Sequence, residues 1–479
     1  MILTIDEGTT STRALVIDNQ GKILGIKQKE ITQIYPQPGW VEHDPEEIWQ
    51  ASLESCRTLL EDLLSSKTIT SSDIEGISIT NQRETTIIWD SKNSKPVYNA
   101  IVWQCRRTSA ICKTLKQNKT LNQIVKDQTG LLIDSYFSGT KIKWLKENII
   151  KNNSELKNQE LYFGTIDTWL IWNLTKGKNH LTDSTNASRT LLFDIYKKSW
   201  SEEIINALEL QNIKLPQVLD SKADFGTTDY FSDLLGREIP ILSVIGDQQS
   251  ALYAYNNESK ITYGTGSFAL VPLKNKPADC PGLITSIAYS TEQKINYALE
   301  ASIFMGGSIV QWLRDGLGII KNSSEVEQLA QEVQGNGGVY LIPALTGLGA
   351  PHWLEDVQGA ILGLTRASNK HHIARAALES IAYQLMDVFK LLDLTSIEYI
   401  NVDGGASKNN FLMQFQSDLI QKPLKRYTET EMTALGSAKM TGLVDLKLKP
   451  ERIFEPKNNL DKQYHQWQQH LKTIINQHQ

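Results

Sequence analysis

Ile2-Leu3-Thr4-Ile5-Asp6-Glu7-Gly8-Thr9-Thr10-Ser11-Thr12-Arg13-Ala14-Leu15-Val16-Ile17-Asp18 reads as strand, tight polar turn, strand. Gly8 lets a ligand approach the backbone, and Thr9, Thr10 and Ser11 offer three hydroxyls in a row. Hydroxyls and turn N–H groups together make a nest for phosphate oxygens. Arg13 adds a fixed positive fork, and Asp6 stands where a carboxylate can hold hydrated Mg²⁺. An ordinary polar hairpin accounts for the same residues equally well, because Gly-Thr-Thr turns are common.

The second half of the chain echoes this pattern. Lys260–Tyr263 runs into Gly264-Thr265-Gly266-Ser267 and then a strand from Phe268. Tyr399–Val402 runs into Asp403-Gly404-Gly405 and a helix from about Phe411, a good setting for a nucleotide. Pro240–Ile245 is an apolar strand ending in Gly246-Asp247-Gln248-Gln249. A carboxylate there suits chemistry or an N-cap. Gly76–Thr80 is a strand followed by Arg83-Glu84, either a loop salt bridge worth ~0–1 kcal/mol or a polar site at strand ends. Trp103 with Arg106 and Arg107 is read as surface structure, and Asp183–Arg189 as a Ser/Thr-rich loop. Helices are expected after the Asp44-Pro45 start, over Ser368–Asp393, and at the C-terminus, where Tyr464, Trp467, Leu471 and Ile474 share a docking face. Asp224-Phe225-Gly226 matches a kinase tripeptide, but without the other kinase motifs it is chance.

Length and composition set the limits. The 479 residues allow two to three domains, and 40 % hydrophobic residues suffice for a sizeable core. A net charge of −5 gives no attraction to nucleic acid or anionic membranes, and no run of 18 apolar residues exists. The strand at the very start leaves no room for a signal peptide, so a cytoplasmic location is expected. Cys56, Cys105, Cys112 and Cys280 form no Cys-x-x-Cys pair and read as free thiols, and the histidines lack metal-ligand spacing. No Walker A motif occurs. Periodicity alone therefore ends at a two-domain α/β protein with phosphate-like turns.

The motifs resemble those of the glycerol kinases, in the sugar-kinase family that shares its fold with actin and the heat-shock chaperone ATPases. The resemblance spans the chain and is densest in Asp6–Arg13, Pro38–Pro45, Thr80–Thr86, Asn99–Thr108, Tyr136–Lys141, Thr185–Thr190, Gly246–Gln249, Tyr263–Gly266, Thr346–Pro351 and Asp403–Asp418. It implies an α/β fold of two actin-like (ribonuclease H-like) domains, residues 1–250 and 251–479, with a nucleotide cleft between them. It also implies ATP- and Mg²⁺-dependent phosphorylation of glycerol to sn-glycerol 3-phosphate. Carried over by motif, Arg83, Glu84, Tyr136, Asp247 and Gln248 hold the hydroxyls, and Trp103 and Phe268 wall the carbon backbone. Asp247 is the general base. Thr9, Thr10, Ser11 and Arg13 hold the β- and γ-phosphates; Thr265, Gly307, Gln311, Gly405 and Asn409 hold the rest of the nucleotide. Mg²⁺ sits near Asp6 and Asp247 through water. A homo-oligomer, dimer or tetramer, is expected, with no nucleic-acid partner and no stable membrane insertion.

Three departures stand out. Glu7 replaces the Gln usual among relatives, and a carboxylate beside the phosphate turn repels ATP unless it faces away or meets a cation. The segment Ala254–Ile261 is shorter than in relatives. The loop Asp229–Glu238 keeps only Gly236-Arg237 of a fructose 1,6-bisphosphate site, and no His lies between His180 and His352 to serve as a phosphorylation switch. Insensitivity to both signals is expected. The alternatives are a kinase for another polyol or a ketose, an actin-like ATPase without a small substrate, and an inactive binding protein.

Overall fold

The computed structural model describes residues 1–273, 277, 279–292 and 294–478. The opening hairpin forms, with both of its strands buried almost throughout. Ile2–Glu7 pairs antiparallel with Ser11–Ile17, with Asp6 opposite Arg13 and Glu7 opposite Thr12. Ile2–Glu7 also pairs in parallel with Gly76–Asn81, which pairs in parallel with Ile239–Gly246. The register sets Glu7, Asn81 and Gly246 side by side at the carboxyl ends of three parallel strands, the edge where α/β sheets bind ligands. Thr227–Thr228 and Ile23–Glu30 complete this six-stranded sheet.

Helix Pro45–Ser65 covers one face of the sheet. Asp44 caps it by accepting from the Glu46 amide, and Pro45 supplies the first helical φ. Its buried stripe, Ile48, Ser52, Cys56, Leu59, Leu60 and Leu63, recurs at helical spacing. Truncating Leu60 to Ala would cost about 2–5 kcal/mol.

A seven-stranded sheet organises the second half, in the order Ile284–Thr291, Lys294–Ile303, Ser267–Leu273, Lys260–Tyr263, Ile400–Asp403, Leu424–Tyr427, Pro450–Phe454. Lys260–Tyr263 and Ser267–Leu273 repeat the strand–turn–strand of the first half. Helices Lys370–Phe389, Asn410–Ile420 and Asp461–His478 build the core of this half. The expected docking face of the last helix is in place, with Tyr464, Trp467, Leu471 and Ile474 all buried. Helix Met432–Met440 joins the halves by crossing Asp247–Ala254. Gly436 permits that crossing, since a Cβ there would lie 1.9 Å from the Ser250 carbonyl oxygen.

Two local expectations change. The Asp183–Arg189 segment is not a loop throughout: Ser184–Ala187 forms a helical turn capped by Asp183, which accepts from the Thr185 and Asn186 amides. Arg106 and Arg107 are internal braces rather than surface residues. Arg107 lies over Trp40, 3.9 Å from its centroid, and donates to Glu42 at 2.6 Å; Arg106 pairs with Asp134 at 3.0 Å. Among the described residues, no helix is long and apolar enough to cross a membrane.

Candidate active site

Two cavities meet at the strand ends. One, of about 300 Å³, is lined by Thr9, Thr10, Arg83, Glu84, Trp103, Tyr136, Asp247, Gln248 and Phe268 among others. The second, of about 490 Å³, is lined by Gly307, Gly405, Asn409, Val310 and Leu378 among others. Gly264, Thr265 and Gln311 line both, so the two are parts of one cleft. Asp6, Ser11 and Arg13 line neither. Ser11 is buried and accepts from the Gly8 amide through its carbonyl at 3.0 Å.

Arg83 and Glu84 do not pair with each other. Arg83 clamps Glu300 with two bonds of 2.8 Å and reaches Asp247 Oδ1 through Nε at 3.1 Å. Glu84, held at a positive φ of 60°, accepts from Arg189 Nε at 2.5 Å. Arg189 also reaches Glu300 Oε2, at 3.3 Å. Arg83, Glu84, Arg189 and Glu300 are all nearly fully buried. Burial pushes the Glu300 carboxyl up, but Arg189 and Arg83 outweigh it and hold the pKa at about 2. For Glu84 burial wins over the same two arginines, and its pKa is raised. Gly246 leaves room for this cluster: a Cβ there would sit 2.8 Å from Arg83 Cδ.

Asp247 is the first residue of its helix, with Gly246 at the cap position. Its Oδ1 accepts from the Gln248 amide at 2.7 Å and its Oδ2 faces Gln248 Nε2 at 3.3 Å. The side chain stays 30 % exposed, so the carboxylate remains open to the cavity. Aromatic rings line the other side: Trp103 stands 5.7 Å from Tyr136 and 6.0 Å from Phe268, centroid to centroid. Lys141 ties down the Tyr136 loop by donating to the Ser135 carbonyl at 2.8 Å and the Tyr136 carbonyl at 2.5 Å. The Trp103 indole N–H donates to Thr9 Oγ1 at 2.9 Å, joining the aromatic wall to the polar turn.

At the turn itself, Thr10 is exposed and Thr9 half-buried. Arg13 is held by Glu431 of the second half at 2.8 Å, so its fork faces a carboxylate in this conformation. Asp6 is buried, which pushes its pKa up to about 7 against the pull of Arg13, with Glu431 and Asp247 adding to the rise. A buried Asp6 carboxylate with the Asp247 and Glu431 carboxylates near it is a set of oxygen donors that would suit a hydrated divalent cation. Among the described residues, no group of three or more His, Cys, Asp or Glu could hold a metal by itself.

Glu7 faces away from the cleft. It is fully buried against helix Pro45–Ser65, and Ser52 donates to its Oε2 at 3.3 Å. Burial pushes its pKa up to about 8, so at neutral pH it is largely an uncharged acid. Glu300, Arg189, Lys260 and Glu431 escaped the reading of the sequence. The one signal for Glu300 was a lone acid in the apolar run Ala298-Leu299-Glu300-Ala301.

Residues 1–254 match the FGGY family of carbohydrate kinases, N-terminal domain, and residues 259–443 its C-terminal domain. A glycerol kinase of Fusobacterium nucleatum is 48 % identical, covering 97 % of both chains. Glycerol kinase 2 of Thermotoga maritima is 49 % identical over 92 % of this chain and 89 % of its own. The crystal structure of Plasmodium falciparum glycerol kinase with ADP superposes with a TM-score of 0.84 at 34 % identity, covering 99 % of this chain and 98 % of that one. A gluconate kinase from Lactobacillus acidophilus has the same fold at 21 % identity and a TM-score of 0.83. The chain belongs to the FGGY family of carbohydrate kinases, in its glycerol kinase branch, and has that family's two-domain actin-like fold.

Proposed function

We propose that the protein transfers the γ-phosphoryl group of ATP to glycerol, giving sn-glycerol 3-phosphate and ADP. The observation that carries this reading is the small cavity with an open carboxylate, buried charged pairs and an aromatic wall, continuous with the larger cavity. Glycerol has little apolar surface, so directed hydrogen bonds must supply its affinity. Arg83 donates to the hydroxyls, Glu84 accepts from them, and Tyr136 and Gln248 complete the set. Trp103 and Phe268 cover the carbon face and exclude water.

Asp247 takes the proton of the attacking hydroxyl. That oxygen bonds to the γ-phosphorus as the bond to the bridging oxygen breaks, and the bridging electrons leave with ADP. Thr9, Thr10 and Ser11 orient the β- and γ-phosphates, with Arg13 once it leaves Glu431. Thr265, Gly307, Gln311, Gly405 and Asn409 hold the rest of the nucleotide. Asp6 and Asp247 would hold Mg²⁺ through water, and the ion would neutralise charge on the phosphates. The division near residue 250 then separates an acceptor-and-phosphate half from a nucleotide half.

The fructose 1,6-bisphosphate response is absent in this reading. Arg237 donates to the Ile74 carbonyl at 2.6 Å, and the neighbouring Asp229 and Asp233 pair with Lys176 and Arg57. A tenfold change in rate on adding the bisphosphate would overturn that part.

The test is ADP release with MgATP and glycerol, xylulose, gluconate or no acceptor. Selective turnover of glycerol is expected. Turnover of another acceptor would move the substrate, and equal release without acceptor would make the protein an ATPase.

A further inference from the structure

Lys260 begins a strand of the second half and is 1 % exposed. It does not line the cavity, yet it touches a residue that does. Its Nζ lies 2.6 Å from Gln248 Oε1 and 2.6 Å from Thr262 Oγ1. An ammonium group only donates, so the Gln248 oxygen must face it. The Gln248 NH₂ is thereby turned the other way, toward Asp247 Oδ2. Which end of a glutamine amide is oxygen is usually a matter of inference from its partners, and here the partner decides it.

The sheet register explains why the lysine is there. Lys260 stands opposite Leu270, and Leu270 opposite Glu300, so the cation and the anion rise from one row on one face. Glu300 fixes Arg83, which touches Asp247 Oδ1. Lys260 fixes Gln248, which touches Asp247 Oδ2. A general counter-charge for Asp403 and Asp247 would need neither the directed bond to Gln248 nor this register.

We propose that Lys260 is a positioning residue for the phosphoryl transfer, locking the Gln248 amide with its donors toward Asp247 and the acceptor hydroxyl. This rests on Asp247 being the base. One amide hydrogen steadies the Asp247 carboxylate and the other is free for the substrate. Without Lys260 the amide can turn its oxygen toward the carboxylate, which repels it and misaligns the base.

The test compares wild type, Lys260→Met, Gln248→Leu and the double variant of the full chain, assayed with glycerol and MgATP. Lys260→Met is expected to lower kcat tenfold or more, with KM for ATP within twofold. In the Gln248→Leu background the same change costs less than threefold, because its route to Asp247 is already gone. An equal factor in both backgrounds, or kcat within threefold of wild type for Lys260→Met, would overturn the proposal. If Lys260→Met fails to fold, Gln248→Glu decides. Its carboxylate keeps one oxygen on Lys260 but sets the other against Asp247 Oδ2 in place of a donor. So kcat is expected to fall tenfold or more with KM for ATP within twofold; kcat within threefold of wild type would overturn the proposal. Wild-type turnover in the same assay keeps the two readings apart. If another acceptor is used instead of glycerol, the cycle is scored on that acceptor.

Discussion

The two ends of the cleft are built on opposite plans. At the acceptor end nearly every charge is already paired and buried: Arg83 with Glu300 and Asp247, Arg189 with Glu84 and Glu300. At the phosphate end the groups are exposed or committed elsewhere: Thr10 in solvent, Arg13 on Glu431, Asp6 pushed toward protonation by its burial. On the proposed function, the acceptor end is thus charge-balanced before a ligand arrives, which favours discrimination among small polyols. On the same proposal, the phosphate end would complete its charge balance only with ligand and cation bound. Preorganisation belongs where selectivity is set, and adjustable charge where a highly anionic ligand must enter and leave.

The largest test removes the acceptor-end carboxylate that pairs with Arg83 yet stays 30 % exposed. Asp247→Ala should lower kcat by about 10²–10⁴-fold, while the melting temperature changes little. Near-normal turnover would mean that the base lies elsewhere. Glu300→Ala tests that charge balance directly. It strands two buried guanidinium groups and should cost about 3–5 kcal/mol in urea unfolding. A cost below about 1 kcal/mol would mean that the cluster contributes no more than a surface pair.

Glu7, behind the phosphate turn, gives a pH test. Its pKa is about 8 in the folded chain, against an ordinary value of 4.5. A raised folded value means that its stabilisation is full below about pH 4.5, falls as pH rises, and levels off above about pH 8. Glu7→Gln removes that slope, so the variant should match wild type near pH 5 and exceed it by roughly 3 kcal/mol at pH 8. Equal stability at both pH values would mean that the carboxylate is solvated. ATP affinity should change little, because the side chain faces the helix. The smallest effect is expected at the half-exposed latch: Glu431→Gln frees Arg13 and should lower KM for ATP by about two- to threefold, consistent with a pair worth under ~1 kcal/mol. An unchanged or raised KM would mean that Arg13 does not serve the phosphates.

Much of this was legible in local sequence. The opening strand–turn–strand, the Asp44-Pro45 helix start and the apolar strand before Asp247 each follow from residue type and spacing within a dozen positions. The candidate residues do gather at one cleft, apart from Asp6, Ser11 and Arg13, which line neither cavity in this conformation. What local pattern could not supply was partnership. Arg83 meets Glu300 across 217 residues, and Arg13 meets Glu431 across 418. Those pairs are fixed by the way the two halves of the chain pack, with Arg83 just beyond its strand and Glu431 capping helix Met432–Met440, and local pattern does not record that packing. Arg83 beside Glu84 in sequence therefore invited a mutual salt bridge, and the fold gave each a distant partner instead.

The bond from the Trp103 indole to Thr9 Oγ1 makes one chromophore a member of both ends of the cleft. An indole's emission responds to its hydrogen bond and to nearby charge. A polyphosphate settling on the Thr9 turn and a polyol settling against the ring therefore perturb the same fluorophore. On the proposed function, this ring reports occupancy at both ends of the cleft, against the background of the other tryptophans among the chain's 11.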